Sequence, residues 1–224
     1  MSELRRDPVT GRWTIIATER AARPHEFEQQ DRTGGETDFC PFCEGNESTT
    51  PPEILAYGDE NREPNGPGWN VRVVPNKYPA LQVEGELHRR GFGVYDATEG
   101  VGAHEVFIES PRHITSPTEL SVKEQTDVLF AFRERMRDLS KDERLMYSLI
   151  FKNVGERAGA SLQHSHSQLI ATPVVPQWVE QELDRCKEYH GYGGQCLLCD
   201  IIDQELEHDD RVVMDRSGIV VLTP

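Results

Sequence analysis

Three polar side chains alternate with serines just before an apolar run, in the segment HSHSQLIATPVV that begins at His164. In an extended strand alternate side chains share a face, so His164, His166 and Gln168 would project together and Leu169 would lie opposite. Neighbours on that face would be about 6.5 Å apart, twice the rise per residue. The two imidazoles are then too far apart to bond each other. This strand suits two adjacent roles, such as a metal ligand and a nucleophile.

The residues before this strand, NVGERAGAS, combine glycines with small polar side chains. An imidazole with a pKa of about 6.5 is mostly neutral at neutral pH and is then a good nucleophile toward phosphorus. Backbone N–H groups of the loop, with Asn153 and Ser161, can surround phosphate oxygens, and Gln168 can donate to the same group as charge develops. The segment therefore predicts phosphoryl chemistry at a histidine, and a merely polar, half-exposed strand is the alternative.

Length and charge narrow the class of protein. At 224 residues the chain has room for one large domain or two small ones. A formal charge of −15 argues against general nucleic-acid binding, although a few local Arg and Lys residues can still hold one nucleotide. No apolar run reaches the roughly 18 residues of a membrane helix, and the first residues lack an apolar signal segment. We predict a cytoplasmic protein that binds neither membrane nor nucleic acid.

Four of the five cysteines form two CxxC pairs, Cys40 with Cys43 and Cys196 with Cys199. Without a secretory signal, such pairs indicate zinc or redox chemistry before structural disulfides, and Cys186 is expected to be an ordinary thiol. Each pair is followed by an Arg-Val-Val strand pattern, which indicates a duplicated unit. The second copy stops at Pro224, directly after an apolar strand pattern, so we expect it to be cut short.

Hydrophobic periodicity predicts the main elements. A helix should begin after Ser121, which forms a capping box with Glu124. Its apolar residues recur at helical spacing, namely Val128, Leu129, Phe132, Met136 and Leu139. Strands are expected in GRWTIIATER, WNVRVVPNKYPAL, HEVFIES and LMYSLIFKNV. The polar segment 28–68, rich in Gly and Pro, is predicted to be a long loop that a metal pins.

Five segments resemble successive blocks of the galactose-1-phosphate uridylyltransferase family, a branch of the histidine-triad superfamily. They are RRDPVTGRWTIIATERAARPHEF, CPFCEGNESTTPPE, WNVRVVPNKYPAL, ESPRHITSPTEL and FKNVGERAGASLQHSHSQ. The resemblance spans the chain but only the N-terminal part of the family's length. It implies an α+β, histidine-triad-like fold of tandem repeats, each a largely antiparallel sheet with helices. Residues 1–175 would form the first repeat, with the catalytic motif, and residues 176–224 the start of a truncated second one.

The resemblance also implies a mechanism. His166 would attack the α-phosphorus of a nucleotide sugar, form a nucleotidyl-histidine and release a hexose 1-phosphate, and a second hexose 1-phosphate would accept the nucleotidyl group. Gln168 matches a catalytic glutamine that contacts the phosphoryl group. The other positions that match nucleotide or phosphate contacts are Arg20, Arg23, Asn76, Asn153 and Ser161. For the two arginines the alternative is ordinary surface charge, and for Asn76 it is a turn residue.

A structural zinc is implied as well. Family members hold it with a CxxC, a histidine after Ser-Pro and the first histidine of the HxH motif, which here selects Cys40, Cys43, His113 and His164. Such a Cys₂His₂ set is tetrahedral and closed to water. His104 is the alternative ligand. Cys196 and Cys199 resemble half of a second zinc site, whose histidine partners would lie beyond residue 224.

The motif itself leaves the substrate open. Many uridylyltransferases have proline and glycine where this chain has Ser165 and Ser167, and the serine form also resembles a branch that acts as ADP-glucose phosphorylase. We expect UDP-glucose:hexose-1-phosphate uridylyl transfer, in galactose metabolism, by a homodimer. The alternatives are adenylyl transfer or phosphorolysis of ADP-glucose, and a zinc-stabilised binding protein without catalysis. The expected partners are therefore UDP-glucose or ADP-glucose and a hexose 1-phosphate.

Overall fold

The computed structural model describes residues 2–22 and 39–223, and Arg23 therefore lies outside the described residues. Contacts divide the chain into two compact units, residues 1–175 and 176–224. The fold is α+β with antiparallel sheets, as the sequence predicts. That the second unit begins another repeat of the first stays a prediction.

The first unit is built from short strands and one long helix. In chain order these are β1 (Glu3–Arg6), β2 (Trp13–Ile16), β3 (Leu55–Gly58), β4 (Trp69–Pro75), β5 (Arg89–Phe92), β6 (Tyr95–Glu99), β7 (Ala103–Ile108), helix α1 (Val122–Leu139), β8 (Tyr147–Phe151) and β9 (His166–Thr172). The main sheet has the order β3-β4-β7-β9-β8, and a second sheet has the order β2-β1-β6-β5. Neighbouring strands pair antiparallel in both.

The register of β7 and β9 assigns side chains to the two faces of the main sheet. Ile108 lies opposite His166, and Val106 lies opposite Gln168. Because side chains alternate along a strand, Phe107 and Leu169 point to the other face, where they join the largest apolar cluster beneath α1. The side chains of His166 and Gln168 therefore share the face away from the helix. Every residue of β7 is buried, because both faces of the sheet are covered.

Helix α1 begins where the sequence predicts. The Ser121 hydroxyl accepts from the Glu124 N–H at 3.3 Å, and the Glu124 carboxylate accepts from the Ser121 N–H at 2.7 Å. This capping box satisfies two N–H groups that the first helical turn leaves without intrahelical partners. Local sequence chemistry is therefore sufficient to place this helix end.

The apolar residues that predict α1 are not all buried. Leu129 and Met136 are 62% and 39% exposed, although the helix forms as the spacing predicts. Arg135 is buried instead, because its guanidinium donates to both carboxylate oxygens of Glu105 in β7, at 2.8 and 2.7 Å. A buried pair with two charge-assisted hydrogen bonds orients the helix in a way that apolar periodicity alone does not show.

The second unit contains α2 (Gln177–Gly193), α3 (Leu197–His208) and a hairpin of β10 (Val212–Arg216) with β11 (Ile219–Leu222). Among the described residues, no helix combines the length and the apolar character that crossing a bilayer requires.

The described part of the predicted long loop, residues 39–68, contains regular structure. There, β3 pairs antiparallel with β4, and a 3₁₀ turn covers Glu47–Thr49. The prediction missed β3 because its partner strand is contributed by later residues. Glu53, just before β3, accepts from Arg62 at 2.8 and 2.9 Å and from Arg72 at 3.0 Å. Burial acts to raise the pKa of Glu53, but hydrogen bonds, first that of Arg62, outweigh it and lower the pKa to about 2.

Replacing Glu53 with glutamine should lower the free energy of unfolding by roughly 2–3 kcal/mol at pH 7. A depressed carboxyl pKa stabilises the fold above the ordinary value, and this contribution is lost as the pH falls toward the folded-state value of about 2. The difference between the wild type and Glu53→Gln should therefore shrink between pH 5 and pH 3. Urea denaturation at several pH values measures it.

Asp127→Asn is the matched control, because Asp127 pairs with Lys123 on the exposed surface of α1. Exposed pairs contribute little, so this variant should stay within about 0.5 kcal/mol of the wild type. If Glu53→Gln lowered the free energy of unfolding by the same amount at pH 3 as at pH 7, the ionic origin of the effect would be contradicted.

Candidate active site

A cavity opens on the face of the main sheet away from α1. Four of the predicted site residues line it together, namely Asn76, Ser161, His166 and Gln168. Its remaining walls include β4, β7, Phe42 within the first CxxC pair and Pro51 in the segment that follows it. The cavity thus brings residues separated by more than 90 positions to one place. It combines an apolar lining with a small set of converging polar groups, which is typical of small-molecule sites.

His166 is buried at the first position of β9. Its Nδ1 lies 2.7 Å from the backbone oxygen of His164, which can only accept, so Nδ1 carries the proton. The lone pair of the ring is therefore on Nε2. The ring of Phe42 packs edge-on against it, with centroids 5.3 Å apart. This hydrogen bond fixes the tautomer of the imidazole, in which Nε2 has the lone pair that nucleophilic attack requires.

In the structure, β9 begins at His166, two residues after His164, where the alternating pattern begins. His164 lies in a bend before β9, because the Ser165 N–H donates to the oxygen of Ile114 at 2.7 Å and His164 Nε2 donates to the oxygen of Ser110 at 2.9 Å. Both bonds draw the chain toward the loop after β7. His164 is thereby directed to a different cluster from His166 and Gln168.

That cluster contains the four predicted metal ligands, Cys40, Cys43, His113 and His164. Their ligand atoms all lie within 4.8 Å of one another. The donor atoms are separated by 3.5 Å from Cys40 Sγ to His164 Nδ1, 3.4 Å from Cys43 Sγ to His113 Nδ1 and 3.7 Å from Cys43 Sγ to His164 Nδ1. Ligand atoms of a tetrahedral zinc site are about 3.3–3.8 Å apart, as follows from its bond lengths. The residues present therefore fit a metal ion of this kind.

The protonation of His164 also suits a ligand. Because Nε2 donates to Ser110, the lone pair is on Nδ1, which faces both thiols. Burial lowers the pKa of His164 to about 4, so the ring is neutral at physiological pH. Burial raises the pKa of the Cys40 thiol to about 12, and a bound divalent cation would reverse that effect, since thiolates are the ligating form.

His104 does not join this cluster. It lies on β7 opposite Ile170, and its ring contacts Gln168 in the cavity. The structure therefore places the alternative zinc ligand next to Gln168 and Asn76, two residues that line the cavity. Arg20 is beside it, donating to the oxygen of Tyr78 at 3.0 Å and contacting His104 Nδ1 at 3.1 Å.

The other predicted site residues are more dispersed. Asn153 lines a second, small cavity that also reaches His164 and His166, on the side of the Gly-bearing loop. Cys196 and Cys199 are exposed at the start of α3 in the second unit. Among the described residues, they do not belong to a group of three or more metal-ligating side chains.

A buried network on the opposite face of β9 was missed by the sequence analysis. Glu109 accepts from Lys152 at 2.6 Å, from Ser165 at 2.6 Å and from Ser167 at 2.5 Å. Lys152 also donates to the backbone oxygen of His166 at 3.1 Å. Burial acts to raise the pKa of Glu109, but these hydrogen bonds outweigh it and lower the pKa. Ser165 and Ser167 thus anchor the strand to Glu109 on the face opposite the cavity. In the sequence, the alternation of these serines with the histidines is the one feature that could have indicated this network.

Comparisons with known proteins agree on one family. Residues 1–176 match the family model described as galactose-1-phosphate uridyl transferase, N-terminal domain. The ADP-glucose phosphorylase of Arabidopsis thaliana is 38% identical over 226 residues, which cover 99% of this chain and 62% of that protein. The galactose-1-phosphate uridylyltransferase of Thermotoga maritima is 25% identical over 225 residues, covering 100% of this chain and 63% of that protein.

A solved structure extends the comparison to three dimensions. The crystal structure of an ADP-glucose phosphorylase from Arabidopsis thaliana with bound ADP-glucose is similar with a TM-score of 0.67 and 34% identity. The match covers 100% of this chain and 64% of that chain. This chain therefore spans about three fifths of the length of the relatives that it matches.

Proposed function

The chain belongs to the galactose-1-phosphate uridyl transferase family, and on that premise we propose that it transfers a nucleotidyl group through His166. The relatives are named as an ADP-glucose phosphorylase and a galactose-1-phosphate uridylyltransferase. The observation that carries the proposal is the tautomer of His166. Its Nδ1–H is held by a backbone oxygen, which leaves the Nε2 lone pair on a ring that lines the cavity together with Gln168.

The proposed reaction has two displacement steps. Nε2 of His166 attacks the α-phosphorus of a nucleotide sugar, the bond from that phosphorus to the bridging oxygen breaks, and a sugar 1-phosphate leaves with the bond electrons. The imidazole then carries a positive charge, which the Nδ1–H bond to the His164 oxygen stabilises. The amide N–H of Gln168 would donate to the phosphoryl oxygen as charge builds there. An incoming phosphate group then displaces His166.

We propose ADP-glucose as the nucleotide sugar and inorganic phosphate as the acceptor. The expectation of UDP-glucose came from the family as a whole, whereas the relative with 38% identity is named ADP-glucose phosphorylase. With phosphate as acceptor, the adenylyl group would leave as ADP, and glucose 1-phosphate would be the first product. Uridylyl transfer to a hexose 1-phosphate is the second candidate, which the 25% identical uridylyltransferase favours.

We propose zinc for the cluster of Cys40, Cys43, His113 and His164. Two thiolates and two imidazoles form a closed, tetrahedral set that suits zinc and a structural role. When bound, the ion would tie the segment after residue 39 to the turn before β9. No step of the transfer needs it. The homodimer stays a prediction.

A covalent adduct tests the proposed function. Full-length protein is incubated with ADP-glucose or UDP-glucose labelled at the α-phosphorus, then denatured, and the label that stays with the protein is counted. We expect label from ADP-glucose, its release as ADP on addition of phosphate, and a kcat/KM at least about tenfold higher than for UDP-glucose.

Two results would contradict parts of this proposal. Label from UDP-glucose, released by galactose 1-phosphate, would establish the second candidate instead. If the protein binds a nucleotide sugar but retains neither label after denaturation, the result would favour a binding protein without catalysis.

A further inference from the structure

The orientation of the Gln168 side chain matters for the proposed function, because an amide has a donor end and an acceptor end. Gln168 is 3% exposed, so water does not decide which end faces the substrate. Its Oε1 lies 3.0 Å from His104 Nε2 and 3.3 Å from Asn76 Nδ2. These two neighbours therefore determine whether the amide offers N–H or oxygen to the cavity.

The tautomer of His104 follows from its other nitrogen. Nδ1 accepts from the backbone N–H of Ala80 at 2.9 Å, and the guanidinium of Arg20 lies 3.1 Å away. Both groups can only donate, so Nδ1 must be unprotonated and the proton must be on Nε2. Nε2 is then a donor, and Gln168 must present an oxygen to it.

Asn76 reinforces this assignment. Its Oδ1 accepts from the backbone N–H of Tyr78 at 2.9 Å, so its Nδ2 is the end that lies 3.3 Å from Gln168 Oε1 and 3.2 Å from His104 Nε2. Because His104 Nε2 carries a proton and cannot accept, the Asn76 N–H donates to Gln168. Two backbone amides of the Tyr78–Ala80 segment thus orient two side chains, and both of these donate to the same oxygen of Gln168. A flipped Gln168 would bring its NH₂ group against two N–H donors, which is strongly unfavourable for a buried amide.

We propose that His104 is a positioning residue for Gln168, which keeps the amide N–H directed to the phosphoryl group that His166 attacks. The inference rests on the proposed function and deepens it. Ala80 and Arg20 hold the His104 tautomer, His104 and Asn76 hold the Gln168 oxygen, and the Gln168 nitrogen is then the end available to the substrate. His104 itself does not contact the reacting atoms.

Two substitutions, each of which keeps one of the two hydrogen-bonding positions of the His104 ring, distinguish this role from simple packing. In His104→Gln a terminal NH₂ can take the place of Nε2–H and donate to Gln168, while the Nδ1 acceptor is lost. In His104→Asn the side-chain oxygen can take the place of Nδ1 and accept from Ala80, while the donor to Gln168 is lost. Single-turnover formation of the nucleotidyl adduct is measured for each, together with the Kd for the nucleotide sugar.

We expect His104→Asn to slow adduct formation by about 10- to 100-fold, with Kd changed by less than about threefold. His104→Gln should stay within about fivefold of the wild-type rate. Adding His104→Asn to Gln168→Ala should cause no further loss, because the interaction that it removes is already absent. Equal losses in both His104 variants, or additive losses with Gln168→Ala, would overturn the proposal.

The wild type gives a further test that needs no variant. Nitrogen NMR of ¹⁵N-histidine-labelled full-length protein reports which ring nitrogen of His104 carries the proton. Protonation at Nε2 supports the proposal, and protonation at Nδ1 overturns it even if the variants fail to fold. A wild-type protein that forms no adduct would contradict the proposed function instead, so the two failures are distinguishable.

Discussion

Replacing His166 with glycine should lower nucleotidyl transfer by at least about a thousandfold, because it removes the group that bonds to phosphorus. The fold and the metal content should persist, since the ligand set at Cys40, Cys43, His113 and His164 is left intact. The cavity and the contacts from Gln168 would also remain. Added imidazole should therefore restore part of the transfer by acting as a diffusible nucleophile.

Two measurements check this result. Mass spectrometry of the full-length protein under conditions that preserve phosphorus–nitrogen bonds should locate the nucleotidyl group on the peptide that contains His166. His88→Gly is the matched control, since His88 is an exposed histidine outside the cavity, and it should keep wild-type activity. An adduct on His164, or undiminished turnover by His166→Gly, would show that the proposed division of roles between the two histidines is wrong.

Replacing Cys40 with serine should remove one metal ion per chain and lower the free energy of unfolding of the first unit by at least about 3 kcal/mol. Binding of a structural metal is coupled to folding, and in isolated zinc-finger peptides it contributes about 10–16 kcal/mol. Cys40 is buried, and its sulfur lies 3.5 Å from His164 Nδ1, so a serine there cannot supply the thiolate that the site needs. Elemental analysis and thermal denaturation of metal-replete protein measure the two effects.

Cys186→Ser provides the control for this substitution. Cys186 is a half-buried thiol in the second unit, and among the described residues it does not belong to a metal-ligating group. It should leave both metal content and unfolding temperature unchanged. The zinc proposal would be contradicted if the wild-type protein bound no zinc when zinc was supplied in excess. It would also be contradicted if the Cys40→Ser variant kept the full metal content.

The sequence predicted the parts of the site that depend on short-range patterns. The alternation of His166 and Gln168 matches a strand, since a period of two is a property of extended backbone. The capping box at Ser121 likewise needs only three residues of local geometry. His164 departs from the predicted strand because its ring donates to Ser110 and the neighbouring Ser165 N–H donates to Ile114, and both acceptors are more than 45 positions away.

What the sequence by itself determined is therefore the family, through the resemblance of several motif blocks, and with the family the α+β class and the residue types of the candidate site. The tertiary structure alone decided which partner each polar group has. His104 matched a metal ligand in type, yet antiparallel pairing of β7 with β9 sets it against Gln168. Glu109 and Lys152 carry no motif, and only the folded sheet brings them behind Ser165 and Ser167. Residue type decides what a histidine can do, whereas its neighbours in space decide which nitrogen holds the proton.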